Sequence, residues 1–334
     1  MVLEVFAGGS LKEAWRVAAA TNGINNFSFW MRSRIARRHL RRRGPFDLVV
    51  QGSSDFRCPA SCDRVATFED MTVALARREP TQPRVAKLSE RRLGVWKDNQ
   101  SAVYEMATAC CITSSWAARS IESDYDIESR KIHAVGIGAN RRMVCPEDRD
   151  WSSPRFLFVG LDWTRKGGDT LVQAFAKLHE HLPLARLELV GVHPEIQAPG
   201  VRTHGVLRLD HPEERARLDD LFSEATCFVM PSVFEPSAIV FAEAAQVGIP
   251  SIGSTAGGSA TIIGGGGLLV APRDVEGLLA AMLELSDPVR AREVGGEALA
   301  RAPSLTWEAV TRRILAASGL PSSSTTTDEW ATQP

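Results

Sequence analysis

From residue 156 onward the chain alternates short apolar runs with stretches of helical period. Phe156–Gly160 (FLFVG), Arg186–Gly191 (RLELVG), Val201–His204, Thr226–Met230 (TCFVM), Pro250–Ile252 and Leu268–Val270 read as strands. Between and after them, Gly168–His181, Pro212–Glu224, Pro236–Val247, Val275–Ser286, Val289–Arg301 and Trp307–Ala317 read as helices. The strands are continuously apolar, as when helices cover both faces of a parallel sheet. Earlier in the chain the same alternation is thinner. Val2–Phe6, Phe46–Gln51, Val65–Phe68, Ala109–Ser114 and Lys131–Val135 predict strands, and Gly8-Gly9-Ser10 predicts a turn. Leu88–Met106 and a segment from Trp116 predict helices.

Trp30–Arg43 is helical by period. Met31, Ile35, Ala36 and Leu40 fall near one face, and Arg32, Arg34, Arg37, Arg38, Arg41, Arg42 and Arg43 fill most of the rest. Gly44-Pro45 ends the segment. Residues 141–154 are polar and charged and hold two prolines, which predicts a domain boundary there. The chain therefore divides into an N-terminal domain, 1–150, and a C-terminal domain, 151–317. Residues 318–334, rich in Ser and Thr and without apolar period, read as a disordered tail.

At 334 residues with 44% hydrophobic and 24% charged residues the chain has ample material for two cores. Net charge is −1, but it is unevenly spread. Residues 1–150 carry 24 Lys and Arg against 18 Asp and Glu, giving +6; the remainder carries 15 against 22, giving −7. One half can thus face an anionic surface or substrate. The six cysteines are irregularly spaced, and Cys58-Pro-Ala-Ser-Cys62 has no second Cys/His pair at zinc-finger spacing, so neither a disulfide framework nor a bound metal is expected. No apolar run reaches about 18 residues and no leader pattern opens the chain, which predicts a cytoplasmic protein.

In a doubly wound sheet, ligands bind beyond the carboxyl ends of the strands. Three segments of the second half fall there. After Gly160, the run Leu-Asp-Trp-Thr-Arg165-Lys166-Gly167-Gly168 puts two cations beside the start of a helix, a site for phosphate or a solvated turn. Next comes Pro231-Ser232-Val-Phe-Glu235-Pro-Ser237-Ala238-Ile239, with Glu243 eight residues beyond Glu235. That spacing places both glutamates on one side of a helix that Glu235 would open. Glu243 then lies in an otherwise apolar helix and needs a partner, which a pair of sugar hydroxyls would supply. Last, Ser254-Thr-Ala-Gly257-Gly258-Ser259 offers a Gly-Gly turn whose backbone N–H groups can approach an anion.

Together these strings resemble one family. The sequence runs strand-Gly160, Arg165-Lys166-Gly167, LELVG at 187–191, PS-x2-E-x7-E-A-x3-G-x-P at 231–250, a Gly-Gly turn, and GLLVAPRD at 267–274. This order is similar to the donor half of retaining glycosyltransferases of family 4 (group 1), over about Val159 to Leu283, with a weaker match back to about Ala109. The resemblance implies an α/β chain of GT-B architecture: two Rossmann-like, doubly wound domains facing a cleft, the N-terminal one short or diverged. It implies a metal-independent enzyme that moves a sugar, with retention, from a nucleotide-diphosphate sugar to an acceptor hydroxyl. The donor, of UDP type or another base, is a co-substrate and no cofactor is expected. The acceptor would be a glycan or a lipid-linked group in cell-surface polysaccharide synthesis.

By the same resemblance, Arg165 and Lys166 neutralise the diphosphate and its leaving group, and Glu235 contacts the reacting end of the sugar. Glu243 accepts the ribose hydroxyls, and backbone at Ser237, Ala238 and Ile239 holds phosphate. Val206 meets the base, and Gly160, at the end of the first strand, is a donor-binding residue too. In the N-terminal half Asp70 contacts sugar or acceptor. This chain departs from the family pattern with Leu161 for an arginine, Ala238 for a glycine, Thr261 for an acid, and Glu69 for the histidine before Asp70. A degenerate nucleotide-sugar binding protein, or a phosphorylase or epimerase of the same fold, stays open as an alternative. A dinucleotide oxidoreductase is disfavoured, because no G-x-G-x-x-G turn follows a strand. The arginine-rich Arg32–Arg43 segment is either a solvated face or a peripheral contact with anionic membrane at the inner face. Without an aromatic platform or binding motif, nucleic acid is not an expected partner.

Overall fold

The computed structural model describes residues 3–4, 25–59, 62–79, 85 and 88–321. The expected Gly8-Gly9-Ser10 turn and the tail beyond residue 321 lie outside them. Contacts divide the chain into two compact units, Met1–Val135 with Thr311–Pro334, and Gly136–Val310. This division falls before the polar segment expected to form the boundary, because that segment is tied to the second unit. Arg141 pairs with Glu243 and Asp219. The Met143 N–H donates to Gln246 Oε1 at 2.8 Å, and Arg149 donates to the carbonyls of Phe222 (3.2 Å) and Val247 (2.5 Å).

The first unit holds a parallel sheet of β1 (Leu3–Glu4), β2 (Val49–Gln51), β3 (Val65–Glu69), β4 (Ala109–Ile112) and β5 (Ile132–Ala134), paired in chain order. Cys110 and Cys111 are fully buried in β4, as their apolar surroundings predict. The arginine-rich helix spans Asn26–Arg43, one turn more than its period predicts, because Asn25 caps it by accepting from Ser28 N at 2.8 Å. Its inward residues are Ser28, Ala36 and Leu40; Ile35, expected inside, faces solvent. A buried polar group fills the carboxyl end of this sheet. Glu69 accepts from Tyr104 Oη (2.7 Å) and Gln100 Nε2 (3.0 Å), and Gln100 Oε1 accepts from Val73 N. Burial pushes the Glu69 carboxyl up, against hydrogen bonds from Tyr104, Ser54 and Gln100 that lower it.

The second unit holds β6 (Arg155–Gly160), β7 (Arg186–Gly191), β8 (Val201–Thr203), β9 (Cys227–Val229), β10 (Ser251–Ser254) and β11 (Gly267–Val270), all parallel, in the order β11-β10-β9-β6-β7-β8. Phe156, Phe158, Phe175, Phe222, Phe228 and Phe241 form its core with Leu157 and Leu171. The chain builds outward from β6 through β8, then crosses back to place β9 on the other side of β6. The order reverses between β6 and β9, the place where a doubly wound sheet binds its ligand.

Helix ends agree with local chemistry. Asp274 caps Val275–Glu284 through Gly277 N (2.8 Å), and Asp287 caps Pro288–Arg301 through Arg290 N (2.8 Å). Residues 318–320 do not begin the tail as expected; they close helix Trp307–Ala317. Gly319 adopts φ +69°, its N–H bonds to Ala316 O (3.0 Å) and the Leu320 N–H to Leu315 O (2.9 Å), a Schellman stop.

Candidate functional site

The loops after β6 and β9 meet at the point of reversal. The β6 loop turns through Gly167 at φ +79°, where a methyl group would sit 2.1 Å from the carbonyl oxygen of Pro231. Only glycine lets the two loops touch there. Val233 N also donates to Arg165 O at 2.8 Å. The contact brings Arg165, Lys166 and Glu235 together. Glu235 Oε2 accepts from Arg165 Nη1 at 3.1 Å and from Lys166 Nζ. Arg165 also pairs with Asp162 Oδ2 at 3.2 Å, a partner not anticipated from the sequence, and donates to Phe234 O at 3.2 Å.

Glu235 and Lys166 are both largely enclosed. Burial pushes the Lys166 ammonium down; the adjacent Glu235 carboxylate opposes that shift. Removing one member of so enclosed a pair typically costs about 3–5 kcal/mol. Gly160 lies under the Lys166 stem, where a methyl group would approach Lys166 Cγ to 3.2 Å.

Glu235 does not open the following helix. Helix Ile239–Gln246 starts four residues later, with Ala238 as its N-cap and no side-chain cap, so Glu235 and Glu243 are not on one helix. Glu235 instead forms a bridge with Gly257, and its carbonyl accepts from Gly258 N at 2.8 Å. The Gly-Gly turn therefore spends this N–H on Glu235 rather than presenting it to an anion. Gly257 has φ +105°, and a methyl group there would fall 2.1 Å from the Glu235 carbonyl oxygen. The Ser237 N–H donates to Glu235 Oε1 at 3.3 Å. Ser237 Oγ is enclosed without a partner. Ala238 and Ile239 supply the open start of the helix.

Glu243 has in Arg141 the partner its apolar helix calls for. Arg141 donates Nε–H to Oε1 (3.2 Å) and Nη2–H to Oε2 (3.1 Å). Arg141 was missed because its segment reads as a polar linker; the signal was the lone carboxylate in IVFAEAAQ, which demands a cation. Val206 is exposed, as are Leu161 and Val192. Leu161 and Val192 follow Gly160 and Gly191, which face each other across β6 and β7. Gly205, just before Val206, accepts from Gly191 N at 2.7 Å, so three apolar side chains follow three adjoining strand ends. Asp70 belongs to the first unit, exposed just past β3. Among the described residues, no group of three or more His, Cys, Asp or Glu side chains is placed to hold a metal ion.

Residues 153–287 match the family model for glycosyl transferases group 1. The D-inositol 3-phosphate glycosyltransferase 1 of Catenulispora acidiphila is 29% identical over 243 residues, covering 65% of this chain and 58% of that protein. The glycogen synthase of Mycobacterium tuberculosis is 35% identical over 167 residues, covering 46% and 39%. The chain thus spans little more than half the length of the former relative and less of the latter. Among solved structures, sucrose-phosphate synthase from Thermosynechococcus elongatus superposes with a TM-score of 0.61 at 24% identity, covering 84% of this chain and 77% of that one. Its likeness bears on the fold alone. Residues 153–287, which hold the Arg165, Lys166 and Glu235 ion pairs, are a glycosyl transferases group 1 domain, and the chain that carries them has the fold of GT-B glycosyltransferases.

Proposed function

We propose that the chain is a glycosyltransferase that moves a sugar, with retention and without a metal ion, from a nucleotide-diphosphate sugar to an acceptor hydroxyl. The observation that carries this reading is the convergence of Arg165, Lys166 and Glu235 at the sheet reversal. Breaking the bond between the anomeric carbon and phosphate leaves negative charge on the diphosphate. Two cations held by packing, beside an uncapped helix start and the unpartnered Ser237 hydroxyl, stabilise that charge as it develops. The new bond forms between the acceptor oxygen and the same face of the anomeric carbon, and the acceptor proton passes to the leaving phosphate. Glu235 touches the sugar end, and Glu243 takes the ribose. Leu161, Val192 and Val206 offer an apolar surface to the base. Asp70 serves the sugar or the acceptor hydroxyl.

The relatives are named for inositol 3-phosphate and for glycogen, which supports a hydroxyl-rich acceptor. A glycan or a lipid-linked sugar fits, and the helix Asn26–Arg43 favours the lipid-linked one with peripheral docking on an anionic membrane. That helix carries seven arginines and no acidic residue. Phe27, Trp30 and Ile35 are 60%, 52% and 51% exposed, and the Phe27 and Trp30 rings stack at 6.1 Å. Arginine around an exposed aromatic cluster suits an interface of anionic headgroups, each basic residue contributing about 1 kcal/mol. No helix among the described residues is long and apolar enough to cross a membrane.

Calorimetry with UDP, GDP, ADP and their sugars tests the donor. Binding of one diphosphate that Lys166→Met abolishes is the expected result, and no binding to any of them would sink the reading. Product analysis by NMR, with and without chelator, reads the anomeric outcome and metal dependence. Binding without turnover on any acceptor would leave a nucleotide-sugar binding protein.

A further inference from the structure

Arg141 sits at the centre of a cluster of which the proposed reaction uses Glu243 alone. Its Nη1 donates to Asp219 Oδ1 at 2.6 Å, in addition to the two bonds to Glu243. Its guanidinium carbon lies 4.9 Å from the centroid of the Phe222 ring. The Arg141 and Glu243 side chains are only 9% and 11% exposed. One cation between two carboxylates leaves the cluster with a formal charge of −1. That charge repels phosphate and attracts hydroxyl donors, the reverse of the Arg165–Lys166 loop.

The fork-to-fork pairing engages one acceptor position on each Glu243 oxygen. A carboxylate has about four such positions, so two remain. Because the guanidinium is planar and held from three sides, the carboxylate plane is fixed and so are those two positions. A vicinal diol presents two O–H donors to them. We propose that Arg141 is the positioning residue for the donor's ribose: it locks Glu243 so that both oxygens receive the ribose hydroxyls, and it sets the preference for ribonucleotides over deoxyribonucleotides. This rests on the nucleotide-sugar reading above. A lysine at the same position would supply the charge without the plane, so it cannot substitute.

The test compares dissociation constants, by calorimetry, of UDP, GDP and ADP with those of their 2′-deoxy forms. The wild-type chain should bind one ribonucleotide more tightly than its deoxy form. Arg141→Lys should weaken the ribonucleotide tenfold or more and the 2′-deoxy form, which keeps only one of the two hydroxyls, by roughly half as much in free energy, so that the ribose preference shrinks. Lys166→Met should abolish binding of both forms alike. If Arg141→Lys lowers both equally, or neither, the residue is only a structural tie and the proposal is wrong. Should that variant not fold, the double variant Arg141→Met/Glu243→Gln removes both buried charges. Its ribose preference should equal that of Glu243→Gln alone, since two residues acting as one unit are not additive; a further drop would overturn the proposal. A wild-type chain indifferent to the 2′-hydroxyl also overturns it while leaving the nucleotide reading intact. Absence of binding by every nucleotide removes the reading itself, and the positioning role with it.

Discussion

Glu235 is enclosed, and two cations and a backbone N–H face its carboxylate. Lys166 in turn is pushed toward deprotonation by burial and held back by Glu235. Glu235→Gln should therefore let Lys166 lose its proton at a lower pH. Diphosphate binding, followed by calorimetry from neutral pH to about pH 10, should fall off earlier in that variant than in the wild type. An unchanged profile would mean that Glu235 does not govern Lys166. In the wild type the lowered Lys166 value makes the unfolded chain the stronger proton binder between that value and the ordinary lysine range, so this group's contribution to stability rises with pH there. Glu69 behaves in the opposite sense. Its folded value is raised, so its contribution is fully present below the ordinary carboxyl range and is lost as pH rises through the folded value. Denaturant titrations should show that slope in the wild type and a flatter one in Glu69→Gln.

Among the elements, the turns around Glu235 matter more than the strands they follow. Gly257 allows the loop after β10 to touch the backbone of Glu235, and nothing with a side chain fits at φ +105° against that carbonyl. Gly257→Ala should destabilise the fold by about 2 kcal/mol or more and reduce donor binding, because Glu235 must move. Asp274→Ala is the contrasting case. It removes only the cap of helix Val275–Glu284, and should cost about 1 kcal/mol in urea unfolding while leaving donor affinity unchanged. Equal loss of donor affinity in the two variants would contradict a local role for Gly257.

For the whole molecule the uneven charge is the informative property. The basic excess of residues 1–150 includes the seven arginines of helix Asn26–Arg43, and the acidic excess lies in the remainder. Sedimentation with vesicles containing phosphatidylglycerol should carry the chain down at low salt, and the bound fraction should fall steeply beyond about 0.15 M, where screening shortens to about 8 Å. Replacing Arg37, Arg38, Arg41 and Arg42 by glutamine should abolish it. Retained binding in that variant, or equal binding to neutral phosphatidylcholine vesicles, would remove the helix from the membrane account.

The alternation of apolar strands with amphipathic helices, the caps and the glycines of the site loops are properties of neighbouring residues, so the sequence by itself determined them. The same holds for the cationic Arg165-Lys166 run and the glutamates at 235 and 243, which stand in short strings that keep their meaning without a fold. Tertiary structure alone decided which groups meet. Glu235 and Lys166 are 69 residues apart and Glu243 and Arg141 are 102 apart. Those encounters depend on the crossing from β8 back to β9 beside β6, and no local propensity encodes the order in which parallel strands assemble. The sequence placed Glu235 at a helix start because Pro236 suits that position; the bridge to Gly257 claimed its backbone instead and delayed the helix to Ile239. It read residues 141–154 as a linker because they are charged. Arg141 and Arg149 are instead consumed by carboxylates and carbonyls of the second unit, a pairing that exists only once that unit has folded.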